Sequence, residues 1–263
     1  MKRIHSWQRL FPKTSQVLFS TILILLLVLV AGYGAVDASP AKHQAIEAGA
    51  KAGGNGFEVV KETYADRAIS INYPQISKMN DVEKQRRLNQ ILKADALSVL
   101  KDYSASELEK LTVKLDYVIG RQSSGLLSVQ FTGSRFLKGT PYPTALFQSI
   151  NLEMRAGRKL RLQDSIQVNE RFVETMKKGR MHAAENVTFE KLRLDSGKLL
   201  KTFGQADSTV SSENPERAFS YFTKDGMGIS FSVIHALGDH VEFELPMAAL
   251  SPFIKPEKAN VIK

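Results

Sequence analysis

The sequence predicts an α+β fold: an antiparallel sheet or sheets packed against one main helix, preceded by a single N-terminal transmembrane helix. Three features predict it: an uncharged apolar run near the N-terminus, several short segments that alternate apolar and polar residues, and one long stretch with apolar residues three and four apart. Strands outnumber helices and are not regularly interleaved with them, which disfavours a doubly wound parallel sheet. At ~150 residues per domain, 263 residues allow one or two modest domains. The absence of cysteine excludes a disulfide scaffold, a zinc ribbon, thiol catalysis and a lipoprotein anchor.

Thr14 to Val36 carries no charge, and Val17 to Val36 gives 20 residues. At ~1.5 Å per residue that span reaches ~30 Å, the thickness of a bilayer's hydrocarbon core. Lys2, Arg3, Arg9 and Lys13 precede it and Asp37 is the first charge after it. The positive-inside rule therefore places residues 1–16 in the cytoplasm as a short tail and everything from Asp37 onward outside. Cleavage as a signal peptide near Ala38 is the competing expectation, but the apolar core is at or beyond the upper end of the usual 7–15 residues, which favours a retained anchor. Without the basic residues and Asp37 of positions 1–38, the exported part keeps 32 basic and 26 acidic residues, a net +6. Such a domain meets anionic wall polymers and lipid head groups rather than nucleic acid.

Residues 37–56 read as a flexible linker, rich in Ala and Gly with little to bury. A first extracytoplasmic α+β domain is expected over 57–166 and a second, with a C-terminal β-meander, over 167–263. FEVVKET and AISINYPQI (68–76) alternate as strands around a turn at Asp66-Arg67. Asn80 or Asp81 then caps a helix whose apolar stripe is Leu88, Ile91, Leu92, Ala96, Val99, Leu100 and Tyr103. Segments 111–120, 126–133 and 144–154 alternate as strands, and Arg155 to Arg158 closes a hairpin. Asn169 to about Gly179 is amphipathic through Phe172, Val173 and Met176, whereas Leu194 to Pro215, rich in Gly, Ser and Asp, reads as the least regular part. FSYFT, MGISFSVI and VEFELP form the final meander, with HALGDH as a loop and MAALSPFI as a short helix or turn.

YPQI at 73–76 leading into a helix with Asn89, LLSVQF at 126–131, INLEMRAGRKLRLQDSI at 150–166 and the block 221–250 carry a family likeness. Together they resemble the paired extracytoplasmic domains of unknown function found in the lysozyme-sensing anti-sigma-V factor and before the catalytic domain of peptidoglycan N-acetylmuramic acid deacetylase. The resemblance spans roughly residues 57–255. It implies an envelope-facing sensor or accessory module. Tyr142 stands where relatives often have a histidine, and the 16 residues before Val17 are too few for a sigma-binding domain, so anti-sigma activity is not expected.

Catalytic patterns are sparse. A metal-dependent deacetylase needs an Asp and two His on one cation, and His235, Asp239 and His240 of HALGDH form the only local cluster, at a spacing that suits neither a helix face nor a strand face. Glu242 and Glu244 share a strand face, read as pointing outward. No metal or other cofactor is expected. Arg135, Lys138, Tyr142, Arg155, Arg158, Lys159 and Arg161 mix cations with an aromatic in one sequence region, a composition suited to gripping an anionic glycan or teichoic acid. The expected function is a non-enzymatic, membrane-anchored binding or sensor module that recognises a cell-wall polymer or a wall-active protein such as lysozyme. Like net charges weigh against lysozyme itself. A peptidoglycan-modifying hydrolase or deacetylase, or its accessory subunit, is the alternative.

Overall fold

The computed structural model describes residues 56–184, 187–208 and 217–262. The expected tail, apolar span and linker up to Asn55 lie outside them. Among the described residues no helix is long and apolar enough to cross a membrane.

Six strands form the first sheet in chain order: β1 (Glu58–Asp66), β2 (Ile69–Ser77), β3 (Leu111–Gln122), β4 (Leu126–Leu137), β5 (Thr144–Glu153) and the two-residue β6 (Arg158–Lys159). β1 and β2 make a hairpin whose turn carries Arg67 at φ 51°. Between β2 and β3 runs α1 (Val82–Ala96), capped by Asp81, whose carboxylate accepts the Lys84 N–H at 2.9 Å. A strand–helix–strand crossover returns the chain in the same direction, so β2 and β3 pair parallel and the sheet is mixed rather than wholly antiparallel. The expected helix to Tyr103 stops at Ala96 and tightens into a 3₁₀ turn over Leu97–Leu100, which still buries Val99. Leu88, Leu92 and Ala96 face Ile69, Ile71, Val113, Leu115, Val129, Phe131, Ile150 and Leu152 in one core.

The second sheet has the order β7 (Arg180–His182), β10 (His240–Pro246), β9 (Gly226–Ser232) and β8 (Ala218–Phe222), antiparallel throughout. Its apolar face packs on α2 (Glu170–Lys177), capped by Asn169, and α3 (Ser196–Gly204), capped by Asp195. α3 corrects the reading of Leu194 to Pro215 as the least regular part over Ser196–Gly204, while residues 209–215 of that stretch lie outside the described residues. Its Gly and Ser lower helix propensity, but Leu199 and Phe203, one turn apart, find the second core, and packing outweighs propensity.

β4 and β5 do not alternate between core and solvent. Leu126–Phe131 is buried at every position, as is Phe147–Glu153, because α1 covers one face and the second sheet the other. The polar residues on the second face are satisfied across the seam. Asn151 Nδ2 donates to the Ser220 carbonyl at 2.8 Å and Ser149 Oγ to the same oxygen at 2.6 Å. Ser128 Oγ donates to Asn151 Oδ1 at 2.7 Å and accepts the Phe222 N–H at 2.8 Å. Gly120 lies at the β3 bulge between Ile119 and Arg121, where a Cβ would stand 2.4 Å from the Phe222 carbonyl oxygen, so this approach requires glycine. At the far end of β5, Glu153 is buried against Lys258, which donates to both its oxygens at 2.9 Å, and ties the C-terminal segment to the sheet.

Asn151→Leu leaves the Ser128 hydroxyl proton without its acceptor in the seam and takes from the Ser220 carbonyl one of its two side-chain donors, Ser149 remaining. At ~1–3 kcal/mol for the unsatisfied hydroxyl and ~1 kcal/mol for the lost donor, the expected loss is about 2–4 kcal/mol. Urea unfolding of the full chain in mild detergent, followed by circular dichroism, measures it; exposed Glu62→Ala should stay within about 0.5 kcal/mol of wild type.

Candidate binding cleft along strand β5

β6 pairs only with Leu152 and Glu153, so the rest of the outer edge of β5 has no neighbouring strand. A cavity of about 680 Å³ lies there, lined on one side by Ile91, Ala94, Asp95, Ser98, Lys101 and Asp102 from α1 and the turn after it. Gln148 to Asn151 of β5 form its floor, and Arg158, Lys159, Arg161, Asp164, Asp207, Arg217 and Phe219 complete it. That volume falls in the ~300–1,000 Å³ range of small-ligand sites.

The floor is rigid. Gln148 Nε2 donates to the Asp95 and Ala96 carbonyls at 3.1 and 3.3 Å, and Asn151 and Ser149 are fixed by the seam. Each carboxylate in the cleft also has a partner. Asp95 pairs with Lys159, Asp102 with Arg217, and Asp164 with Arg161 at 3.1 Å. Arg158 reaches Glu153 at 3.1 Å. The Lys101 ammonium makes no hydrogen bond or ion pair among the described residues, while its backbone N–H donates to the Ser98 carbonyl at 3.0 Å. Asp207, in the left-handed region at φ 63°, turns its carboxylate inward, where it accepts the Leu162 N–H at 2.8 Å and the Ser220 N–H and hydroxyl at 2.7 and 2.6 Å.

Burial dominates Asp207 and Asp95, whereas at Asp164 burial is outweighed by Arg161, which holds that carboxyl down. Burial pushes Asp207 up to about 6 despite those three donors, with the nearby charge of Asp95 adding a smaller push. Burial also raises Asp95, opposed by Lys159. Arg161 is raised, chiefly by its hydrogen bond to Asp164 and slightly by Asp207.

The seven residues singled out from the sequence separate into two groups. Arg158, Lys159 and Arg161 line the large cavity, and Arg155 is exposed on the adjoining turn, where Gly157 at φ 63° lets Arg87 Nε donate to its carbonyl at 3.1 Å. Arg135 lines a smaller cavity of about 330 Å³ at the other end of β5, its guanidinium 5.7 Å above the Tyr103 ring. Lys138 is exposed in the β4–β5 loop. Tyr142, half-exposed, stacks on His235 with ring centres 3.8 Å apart and planes within 4°. One sequence region thus serves opposite ends of one strand, since the hairpin carries the chain away and back.

HALGDH does not gather its two histidines. His235 Nδ1 bonds Asp239 Oδ1 at 2.9 Å, Asp239 Oδ2 accepts the Ala145 N–H at 2.7 Å, and His240 turns to Glu242 at 3.3 Å. Glu242 and Glu244 do not point into solvent as the strand pattern suggests. Glu242 is buried with Tyr221 Oη 3.2 Å away, and Glu244 lies 3.0 Å from both Tyr221 Oη and His182 Nε2. Burial, reinforced by both carboxylates, raises the Tyr221 phenol and keeps it protonated. Asp95, Gln148, Ser149, Asn151, Asp207 and Arg217 escape sequence reasoning, because polar residues on a helix or strand face read as solvated until a second sheet covers them.

No protein-family model matches the chain, and no curated protein sequence does. Among solved structures the chain is similar to a DUF3298 family protein from Pseudomonas aeruginosa PAO1, at 14% identity and TM-score 0.45, covering 76% of this chain and 94% of that one. It is also similar to a DUF3298 family member from Bacteroides fragilis NCTC 9343, at 13% identity and TM-score 0.44, covering 77% and 93%.

Asp207 gives stability a pH signature. Its folded pKa of about 6 lies above its ordinary 3.8, so the folded state binds the proton more tightly and this group's contribution is lost as pH rises through that interval. Chemical unfolding at a series of pH values from about 4 to about 7 should show stability falling across that window in wild type and a flatter profile in Asp207→Asn.

Proposed function

We propose that this chain is a membrane-anchored extracytoplasmic binding module of a bacterial envelope that recognises a cell-wall polymer through the cleft beside β5. The observation that carries this reading is the cleft itself: about 680 Å³, floored by buried amide and hydroxyl side chains already fixed by hydrogen bonds. Their donors are spent on those bonds, but the side-chain oxygens keep lone pairs that can accept from the hydroxyl and amide groups of a sugar chain without reorganising, which lowers the entropic cost of binding. Phe219 adds an apolar surface for a ring face.

Acid–base turnover is less well supported, since the Asp95, Asp102 and Asp164 carboxylates are ion-paired and Asp207 accepts three hydrogen bonds. The uncharged run before Asp37 supports anchoring, and the net +6 of the exported part supports residence beside an anionic wall.

Co-sedimentation of the detergent-solubilised full chain with purified peptidoglycan sacculi tests the proposal. Wild type should be retained, and Lys101→Ala/Arg158→Ala/Arg161→Ala should lose retention by about tenfold, the equivalent of ~1.4 kcal/mol. Soluble reducing ends released from the sacculi would instead identify a hydrolase, and equal retention of the triple variant would remove the cleft from the reading.

A further inference from the structure

The two cavities beside β5 are not independent. Thr144 to Phe147 line the smaller and Gln148 to Asn151 the larger, so consecutive stretches of one strand floor both. Arg217 and Phe219 belong to both linings and stand between them, with Arg217 drawn across to Asp102 and its backbone held by the Ser232 N–H at 2.9 Å. Eight residues of extended strand at ~3.3 Å each make this floor about 26 Å long, far longer than one sugar ring.

We infer that the cavities are two subsites of one trough and that its ligand is a long, largely uncharged glycan bearing N-acetyl groups rather than a polyphosphate. The inference rests on the binding function proposed above and specifies its ligand class. Charge pairing decides against a polyphosphate. Asp95, Asp102 and Asp164 already neutralise Lys159, Arg217 and Arg161, and in the smaller cavity Asp239 and His240 accompany Arg135 and Arg217. A phosphodiester chain entering the trough would have to displace these carboxylates and lie beside Asp207, whereas hydroxyl and acetamido groups accept from the cations and donate to the acids with the pairs intact. Ser98, Gln148 and Ser149, whose own protons are spent within the protein, add neutral acceptors along the same path, and the Ser230 and Ser232 hydroxyls lie farther along it. An extended peptide is a poorer fit as an added strand. The Ala145 N–H is already taken by Asp239 and the Asn151 carbonyl by the Leu160 N–H at 2.9 Å, and Arg217 lies between the two cavities.

Calorimetric titration of the full chain in detergent separates the possibilities. The probes are N-acetylglucosamine oligomers of two, four and six units, glycan strands and stem peptides from amidase-digested sacculi, and polyglycerol phosphate. Affinity should rise about tenfold or more from dimer to hexamer, a gain of ~1.4 kcal/mol or more, and change little with salt. Two plugging variants at exposed lining positions locate the gain. Ser232→Trp should bring the hexamer close to the dimer's affinity while sparing the dimer, and Ala94→Trp should weaken every oligomer. Response of the amidase-released glycan but not of the acetylglucosamine oligomers would place the required group on the second sugar of the wall strand and narrow the ligand to that source. Length-independent affinity, indifference to Ser232→Trp, or tighter binding of stem peptides or polyglycerol phosphate would overturn the inference while leaving retention on sacculi, and with it the binding function, standing. Loss of both soluble binding and retention on sacculi would overturn the function itself.

Discussion

The fold depends on a polar seam. Asn151, Ser149 and Ser128 of the first sheet are buried against Ser220 and the Phe222 backbone of the second, and each finds its hydrogen bond there. An apolar contact tolerates sliding, since its energy follows area, whereas a buried amide shifted by a few tenths of an ångström loses its partner at ~1–3 kcal/mol. The seam therefore fixes the two sheets in register, and Gly120 marks how closely they approach.

That constraint sets the site. With the second sheet locked over one face of β5 and α1 over the other, and with β6 only two residues long, the outer edge of β5 has no further strand beside it and a trough opens there. Asp207 belongs to both structures. Its carboxylate holds Ser220, at the centre of the seam, and Leu162, next to the cleft cation Arg161. The desolvation that raises its pKa is the same enclosure that gives the cleft walls their rigidity. Pairing of acids with bases along the walls makes the trough strongly polar at little net charge, a condition that favours directional hydrogen bonding over bulk attraction.

Much of this was legible in the chain. The β1–β2 hairpin, the cap at Asn80 or Asp81, the amphipathic helix after Asn169 and the closing meander follow from local rules, since alternation, capping side chains and turn residues act over a few positions. Arg158, Lys159 and Arg161 were visible as cations beside a tight turn. Their partners were not, because Asp95 lies 64 residues from Lys159 and Asp102 115 residues from Arg217. Tyr142 read as part of the same basic patch, yet it stacks on His235 from a loop 93 positions on, at the opposite end of β5.

By itself the sequence determined the α+β class, the main helix with a cap at Asn80 or Asp81, and the strands of both sheets apart from the three-residue β7, because each is dictated by the period of apolar residues and by short-range capping chemistry. The tertiary structure decided the parallel β2–β3 pair, the helix at Ser196–Gly204 and the burial of polar residues on β4 and β5. It also decided which charges face one another in the trough. A strand pattern records that a residue is polar but not whether water or another sheet will satisfy it, and that depends on the chain as a whole.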